Sequence, residues 1–281
     1  MIRRSMHGRK SLDLVVKGFS SLAALVGITF LAWILYEVLK RGITAIDWNF
    51  FTKLPVPPGI EGGGVANAII GTFSMILVAV AIGVPLGLLA GIYLSEFGRN
   101  SRFGELVRFA TNVMMGIPSI IIGLFVYTLM VLRMGNFSGW AGAVSLAIIM
   151  LPVMGRTTED MLSLVPNSLR ESALALGAPR WKVTLDIVFR GAKSGLITGS
   201  LLAIARVSGE TAPLLFTALN SPYWAKSFNG PIPNLTVTIF NYAMSPYADW
   251  QRIAWGASLL IMVMVLLMTV VARTLFKEAS R

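Results

Sequence analysis

The chain of 281 residues is 55% hydrophobic and only 13% charged, whereas a soluble protein carries about 25% charged residues. It contains no cysteine, and its one histidine, His7, lies in a basic N-terminal tail, so thiolate metal sites, other metal centres and histidine catalysis are not expected. A net charge of +11 would suggest nucleic acid as the partner of a soluble protein, but in a membrane protein the position of the charges matters more. The composition predicts an integral membrane protein.

Six apolar segments are long enough to cross a membrane, which takes roughly 20 residues of α-helix. They are predicted at 18–39, 66–94, 109–132, 140–155, 194–218 and 253–273. The first is too long for the apolar part of a cleavable signal and no Ala-x-Ala site follows it, so we expect it to be the first transmembrane helix. Since unpaired backbone groups are costly in hydrocarbon, the predicted fold is all-α, a polytopic membrane protein with six transmembrane helices.

Lysine and arginine indicate the orientation of these helices. Seventeen of the 24 lie in segments that share one side with the N-terminus, six lie on the other side, and Arg206 is left inside a span. Because positive residues accumulate in the cytoplasm, both termini are predicted to be cytoplasmic. The resulting organisation is a cytoplasmic tail 1–17, the first transmembrane helix 18–39, an external (periplasmic) linker 40–65, a transmembrane core 66–273 with a cytoplasmic loop 156–193, and a second cytoplasmic tail 274–281.

Two external segments and one span have distinctive compositions. Residues 40–65 are rich in Pro and Gly, and residues 219–252 are rich in aromatic residues, Asn and Pro without a clear helix. The second segment is either a docking or entrance loop or a simple connector. In the span 66–94, four residues predict a helix that can bend: Gly83, Pro85, Gly87 and Gly91.

The cytoplasmic loop 156–193 is predicted to contain two short helices. The first covers 168–176, with Ser168 as N-cap and Glu171 as its capping-box partner, and Gly177 ends it. The second is expected from about 180 to 190. The first helix would place Leu169, Ala173 and Leu176 on one apolar face, which indicates either docking to another protein or an amphipathic segment lying on the bilayer.

Part of the loop 156–193 resembles a known motif. "ESALALG" (171–177), followed by Ile187, is similar to the Glu-Ala-Ala-x-x-x-Gly loop of ABC importer permeases, although Ser172 replaces the first Ala and Phe189–Arg190 replaces Leu-Pro. In that family the loop is the coupling helix that docks into the ATPase subunit. The resemblance assigns the ATPase-coupling residues as Leu169, Arg170, Glu171, Ala173, Leu174, Gly177 and Ala178.

Further segments resemble the PstA-type permease family of phosphate-specific ABC importers. They are "GGGVANAIIGT" (62–72), "GVPLGLLAGIYLSE" (83–96), "GIPSIIIGLF" (116–125), "RVSGETAPLLFTALNSPYW" (206–224) and "FNYAMSPYADWQRIAW" (240–255). The resemblance implies the type I ABC importer transmembrane-domain fold, import of inorganic phosphate across the bacterial inner membrane, and no cofactor bound by this chain. It also implies a heterodimer with a PstC-like permease, two PstB-like ATPase subunits and a PstS-like periplasmic phosphate-binding protein.

Two other functions stay open at this stage. One is a permease for another oxyanion such as sulfate or molybdate, and the other is an ATP-independent anion channel or carrier. The chain lacks the Gly-x-x-x-x-Gly-Lys-Ser/Thr loop that binds nucleotide phosphates, so we expect a transport subunit that is not itself an enzyme and whose partner uses the ATP.

Arg206 and Glu210 are the only charges between 194 and 225, and the sequence predicts them in the middle of the fifth span. Each costs about 2.5–3.5 kcal/mol at the centre of a transmembrane helix. Three interpretations remain: a structural pair, a substrate site built on Arg206, or a proton relay through Glu210. Other candidates are the hydroxyls of Ser208 and Thr211 in the substrate pathway, and Gly209 and Pro213, which weaken the helix as a break or hinge.

Overall fold

The computed structural model describes residues 6–60 and 62–275, and within them the chain forms eleven helices and no strand. Five helices are long and apolar enough to cross a membrane, and α4 with α5 supplies a sixth, bent span. The helices are α1 Met6–Ile43, α2 Trp48–Thr52, α3 Ala66–Phe97, α4 Arg102–Gly116, α5 Ser119–Met134, α6 Gly139–Ser163, α7 Asn167–Ala175, α8 Arg180–Val207, α9 Ala212–Thr217, α10 Leu235–Ala243 and α11 Ala248–Leu275. The predicted all-α fold with six spans is confirmed.

The core is built around the contact between α3 and α6. Small residues recur every four positions on α3, so its backbone approaches α6 closely. A Cβ atom added at Gly87 would lie 2.4 Å from the Cβ of Met154, and one at Gly91 would lie 2.4 Å from the Cβ of Thr158. The glycines that the sequence analysis interpreted as bend points therefore serve helix packing, and α3 stays helical through Pro85 to Phe97.

The third predicted span, 109–132, is not one straight helix. It is divided between α4 and α5, whose axes differ by 103°. Pro118 causes the division: it has no N–H to donate, and it holds Ile117 in an extended conformation. The prediction of a single helix was wrong because the residues on both sides of the break are equally apolar.

The loop 156–193 is also arranged differently from the prediction. α6 continues to Ser163 rather than ending near 155, and α8 runs without interruption from Arg180 to Val207. The separate helix predicted at 180–190 is therefore the first part of a transmembrane helix. Only α7 and its short flanking turns lie between the two long helices.

The external segments are folded as well. The linker contains α2, whose first turn is capped by Asp47, and the segment 219–252 contains α10, so its description as a loop without a helix was wrong. α10 is mostly buried against the start of α3, where the hydroxyl of Thr72 accepts a hydrogen bond of 2.8 Å from the N–H of Leu235. The segments predicted to be external thus form a folded layer with α2 and α10, which we name the external layer.

Candidate functional site: a broken helix beside a bent span

The segment "RVSGETAP" forms a break between α8 and α9. Helix α8 ends at Val207, and the N–H groups of Gly209 and Glu210 turn back to the carbonyls of Arg206 and Val207 at 3.4 and 3.2 Å. Pro213 lies in the first turn of α9, where a residue without an N–H breaks no helical hydrogen bond. The prediction that both charges lie inside one helix was wrong: Arg206 is in the last turn of α8, and Glu210 lies in the break.

This break faces the bend of the third span across a cavity of about 210 Å³. α4 and α5 contribute the residues around Pro118, α6 contributes the segment around its internal Pro152, and the break contributes the two charges. The lining residues are Met114, Met115, Ile117, Pro118, Ser119, Ile122, Ile149, Pro152, Val153, Arg206 and Glu210. Three interrupted or proline-containing helices therefore meet at one polar cavity in an otherwise apolar bundle.

The predicted pathway residues have different environments in the single chain. Arg206 is exposed, whereas Glu210 and Thr211 are half-buried. Ser208 is buried and its hydroxyl donates to the carbonyl of Ile204 at 2.7 Å, so that group is already engaged within α8. Among the ion pairs of the described residues none joins Arg206 to Glu210, which leaves the guanidinium free to face the cavity.

Neighbouring elements hold the break in place. The backbone carbonyl of Glu210 accepts a 3.0 Å hydrogen bond from the hydroxyl of Thr236 on α10. Pro213 packs on α5 at Gly123, where an added Cβ would lie 2.6 Å from the proline Cα. The external layer and α5 therefore contact the segment that carries both charges, so its position depends on long-range packing.

Helix α7, the predicted coupling helix, ends as the sequence predicts but begins differently. Gly177 has φ +82°, its N–H donates to Leu174, and the N–H of Ala178 donates to Ala173, which together make a Schellman stop. The predicted capping box was wrong: Pro166 is the N-cap without a side-chain hydrogen bond, and Ser168 lies inside the helix. Pro166 is tolerated there because it lies before the first helical residue, where it breaks no helical hydrogen bond, and its carbonyl accepts from the N–H of Leu169.

The seven predicted coupling residues divide between two faces of α7 and the turn after it. Leu169, Glu171, Leu174 and Gly177 are exposed, and Ala178 is half-buried. Ala173 is buried and Arg170 is only 14% exposed, since both turn toward the transmembrane helices. The predicted single apolar face of Leu169, Ala173 and Leu176 is therefore wrong: Leu169 and Leu176 project outward while Ala173 packs inward.

Comparison with known proteins places the chain in a family. The sequence profile described as "Binding-protein-dependent transport system inner membrane component" matches residues 83–278. The "Phosphate transport system permease protein PstA" of Yersinia pestis is 47% identical over 98% of this chain and 94% of its own length. The protein of the same name from Pasteurella multocida is 46% identical over the full length of both chains. The chain belongs to the PstA permease family. 

Solved structures support the same fold for the permease. A chain of the MetNI methionine ABC transporter superposes with a TM-score of 0.66 at 19% identity, covering 77% of the permease and 96% of that chain. A chain of a bacterial alginate ABC transporter superposes with the same TM-score at 12% identity and covers 99% of both. At these identities the likeness shows the fold alone, and it confirms the predicted type I ABC importer transmembrane-domain architecture.

Sequence reasoning missed two features of the site. The bend at Pro118 was hidden inside an apolar run, although the pair Ile117–Pro118 was a local signal that a helix boundary was near. Glu96 and Glu159 were not singled out, yet each forms an ion pair with a distant arginine at the end of the bundle where α7 lies. No local pattern could have identified those pairs, because the partners are 74 and 51 residues apart.

Proposed function

We propose that this permease carries inorganic phosphate across the bacterial cytoplasmic membrane as one subunit of an ATP-driven importer. Full-length relatives at 46–47% identity bear the name of phosphate transport permeases. The observation that carries the proposal for this chain is the exposed guanidinium of Arg206, which lines a cavity where two broken helices and a proline-containing one meet.

The chemistry of the cavity suits a phosphate ion. Arginine stays charged at all physiological pH values, and its planar guanidinium matches two oxygens of a tetrahedral oxyanion. The first turn of α5 starts at Ser119 on the cavity wall, so the positive end of that helix adds to the attraction. Glu210 offsets the charge of Arg206 when the site is empty, and it accepts a hydrogen bond from protonated phosphate, which sulfate cannot donate.

The proposed importer contains three further kinds of subunit, each of which supplies a function for which this chain has no site. It has no nucleotide-binding loop, so a pair of PstB-like ATPase subunits would hydrolyse the ATP after docking on α7 from the cytoplasm. A PstC-like permease would complete the path by covering the side where Arg206 is exposed. A PstS-like periplasmic protein would deliver phosphate to the external layer, with both termini of the permease in the cytoplasm.

The test is reconstitution of the four components in liposomes, with ATP enclosed and the binding protein and phosphate added outside, and measurement of phosphate uptake. Arg206→Gln should lower uptake on the order of 10- to 100-fold, since a charged hydrogen bond contributes about 1.5–3 kcal/mol. Arg190→Gln is the matched control, because Arg190 is exposed, lies outside the cavity, and among the described residues forms one ion pair, with Asp186 at 3.2 Å.

Complex assembly is measured in parallel by co-purification of all subunits. If the Arg206→Gln complex assembles and imports phosphate at the wild-type rate, Arg206 is not in the substrate path. Uptake of sulfate rather than phosphate by the wild-type complex would refute the assignment of the substrate.

A further inference from the structure

Four helices are joined at one end of the bundle by two half-buried ion pairs, which we name the cytoplasmic clasp: Arg170–Glu96 and Arg108–Glu159. Arg170 lies on the coupling helix α7 and Glu96 lies at the end of α3, with 2.8 Å between the charged groups. Arg108 lies on α4 and Glu159 on α6, with 2.6 Å between them. The carboxylates are only 9% and 12% exposed, so both pairs are shielded from solvent.

Each arginine of the clasp also binds the end of a third helix. Arg170 donates to the carbonyls of Leu162 and Val165 at the end of α6, and Arg108 donates to the carbonyl of Leu94 at 2.8 Å near the end of α3. Carbonyls at a helix C-terminus carry partial negative charge, which favours a guanidinium at this position. Arg170 therefore connects α7 to both α3 and α6, and Arg108 connects α4 to the same two helices.

Arg170 uses all five of its N–H donors in this arrangement. Nε and one Nη2 hydrogen reach the two oxygens of Glu96 at 3.2 and 2.8 Å, and the other donors reach Leu162, Val165 and the side chain of Asn167 at 3.4 Å. Lysine has three donors on a single atom and cannot reproduce this fork. The position thus requires arginine for geometry as well as for charge.

The helices tied by the clasp lead directly to the Arg206 cavity. α4 runs from Arg108 to the bend at Ile117, about 13 Å at 1.5 Å per residue, and its last residues line the cavity. α6 runs from Glu159 to Pro152, about 10 Å, and Pro152 lines the same cavity. The clasp therefore connects α7 to α6 directly and to α4 through α3 and α6, and both α4 and α6 line the cavity.

We propose that the cytoplasmic clasp transmits the movement of the coupling helix to the Arg206 cavity, with Arg170 as the positioning residue that makes transport depend on ATP hydrolysis. The proposal rests on the function proposed above. The competing routes run along the chain itself: α6 is joined to α7 by residues 164–166 and reaches the cavity at Pro152, and α8 connects the turn after α7 with Arg206. Only the route through the clasp needs the ion pair between Arg170 and Glu96.

The experiment uses the reconstituted complex of all four components and measures phosphate uptake together with ATP hydrolysis. Arg170→Gln, Glu96→Gln and the double variant are compared with Arg170→Lys and with the control Arg190→Gln. In Arg170→Gln the phosphate imported per ATP hydrolysed should fall on the order of tenfold. Glu96→Gln should have a similar effect, and the double variant should be no worse than either single variant.

Arg170→Lys should give an intermediate ratio, because it keeps the charge but not the five donors. A wild-type ratio of phosphate to ATP in Arg170→Gln would overturn the proposal, and so would a double variant whose loss is the product of the single losses. Parallel loss of uptake, basal ATP hydrolysis and ATPase co-purification would also overturn it, since Arg170 would then merely hold α7 in place. Failure of the wild-type complex to import phosphate contradicts the proposed function instead, and is recognised before any variant is compared.

Discussion

Gly87 illustrates how single residues decide the packing of this membrane core. It lies at the α3–α6 contact, where the Cβ of Met154 would be 2.4 Å from a Cβ added at this glycine. Such a distance is too short for two carbon atoms, so one of the helices must shift. Between transmembrane helices, close backbone approach replaces the hydrophobic effect as a source of stability.

We therefore expect Gly87→Ala to destabilise the permease by about 1–3 kcal/mol through overpacking. The measurement is the thermal unfolding midpoint of the detergent-solubilised protein, followed by size-exclusion chromatography. Gly27→Ala is the matched control, since Gly27 lies on α1 with nothing within 4 Å of an added Cβ. An unchanged midpoint in Gly87→Ala would contradict the tight α3–α6 contact.

Arg206 shows the limit of residue-level prediction. Its charge marked it in the sequence as a site residue, and that assignment still awaits the uptake experiment. Its environment could not be predicted, because the break after Val207 depends on Thr236 and Gly123, which contact the segment from α10 and α5. Composition shows which residue is unusual, whereas tertiary contacts decide what it faces.

At the scale of elements, the end of α7 depends on one backbone conformation. Gly177 has φ +82°, and nothing lies within 4 Å of a Cβ added there, so a substitution adds conformational strain without a steric clash. A non-glycine residue in this left-handed region costs roughly 1–2 kcal/mol. The strain would act on the two hydrogen bonds of the Schellman stop.

Gly177→Ala is accordingly expected to increase hydrogen exchange of the amides at the end of α7 about tenfold. Hydrogen–deuterium exchange with mass spectrometry of a peptide that covers 167–178 measures this change. Gly116→Ala serves as control, because Gly116 also has open space for a Cβ but a negative φ. Equal exchange in wild type and Gly177→Ala would show that the left-handed turn does not stabilise α7.

Helices could be predicted from the sequence better than their interruptions. The apolar segments gave the number of spans, since about 20 apolar residues suffice to identify each one. The breaks at Pro118 and after Val207 were missed, because hydropathy averages over a window longer than the break itself. Arg108 was counted only as an orientation signal, and its pairing with Glu159 became visible once the fold brought α4 and α6 together.

At the scale of the whole molecule, the exposed position of Arg206 indicates that this chain forms only part of a transport path. A charge at membrane depth is not stable against lipid, so it faces water or another protein. In the single chain the guanidinium is exposed although the cavity around it is partly enclosed by α4, α5 and α6. The cavity is therefore expected to be hydrated in the assembled complex.

The absence of cysteine makes this expectation directly measurable. Ser119→Cys places a thiol on the wall of the cavity, and Phe73→Cys places one on the exposed apolar side of α3, where the native side chain is 66% exposed. In membranes containing the full complex, a charged, membrane-impermeant thiol reagent should modify Ser119→Cys at least about tenfold faster than Phe73→Cys, because only thiols in contact with water ionise and react readily. Phosphate should slow the reaction at Ser119→Cys, since it occupies the same cavity. Equal rates at the two positions would contradict a hydrated path, and a rate that phosphate leaves unchanged would place the substrate elsewhere.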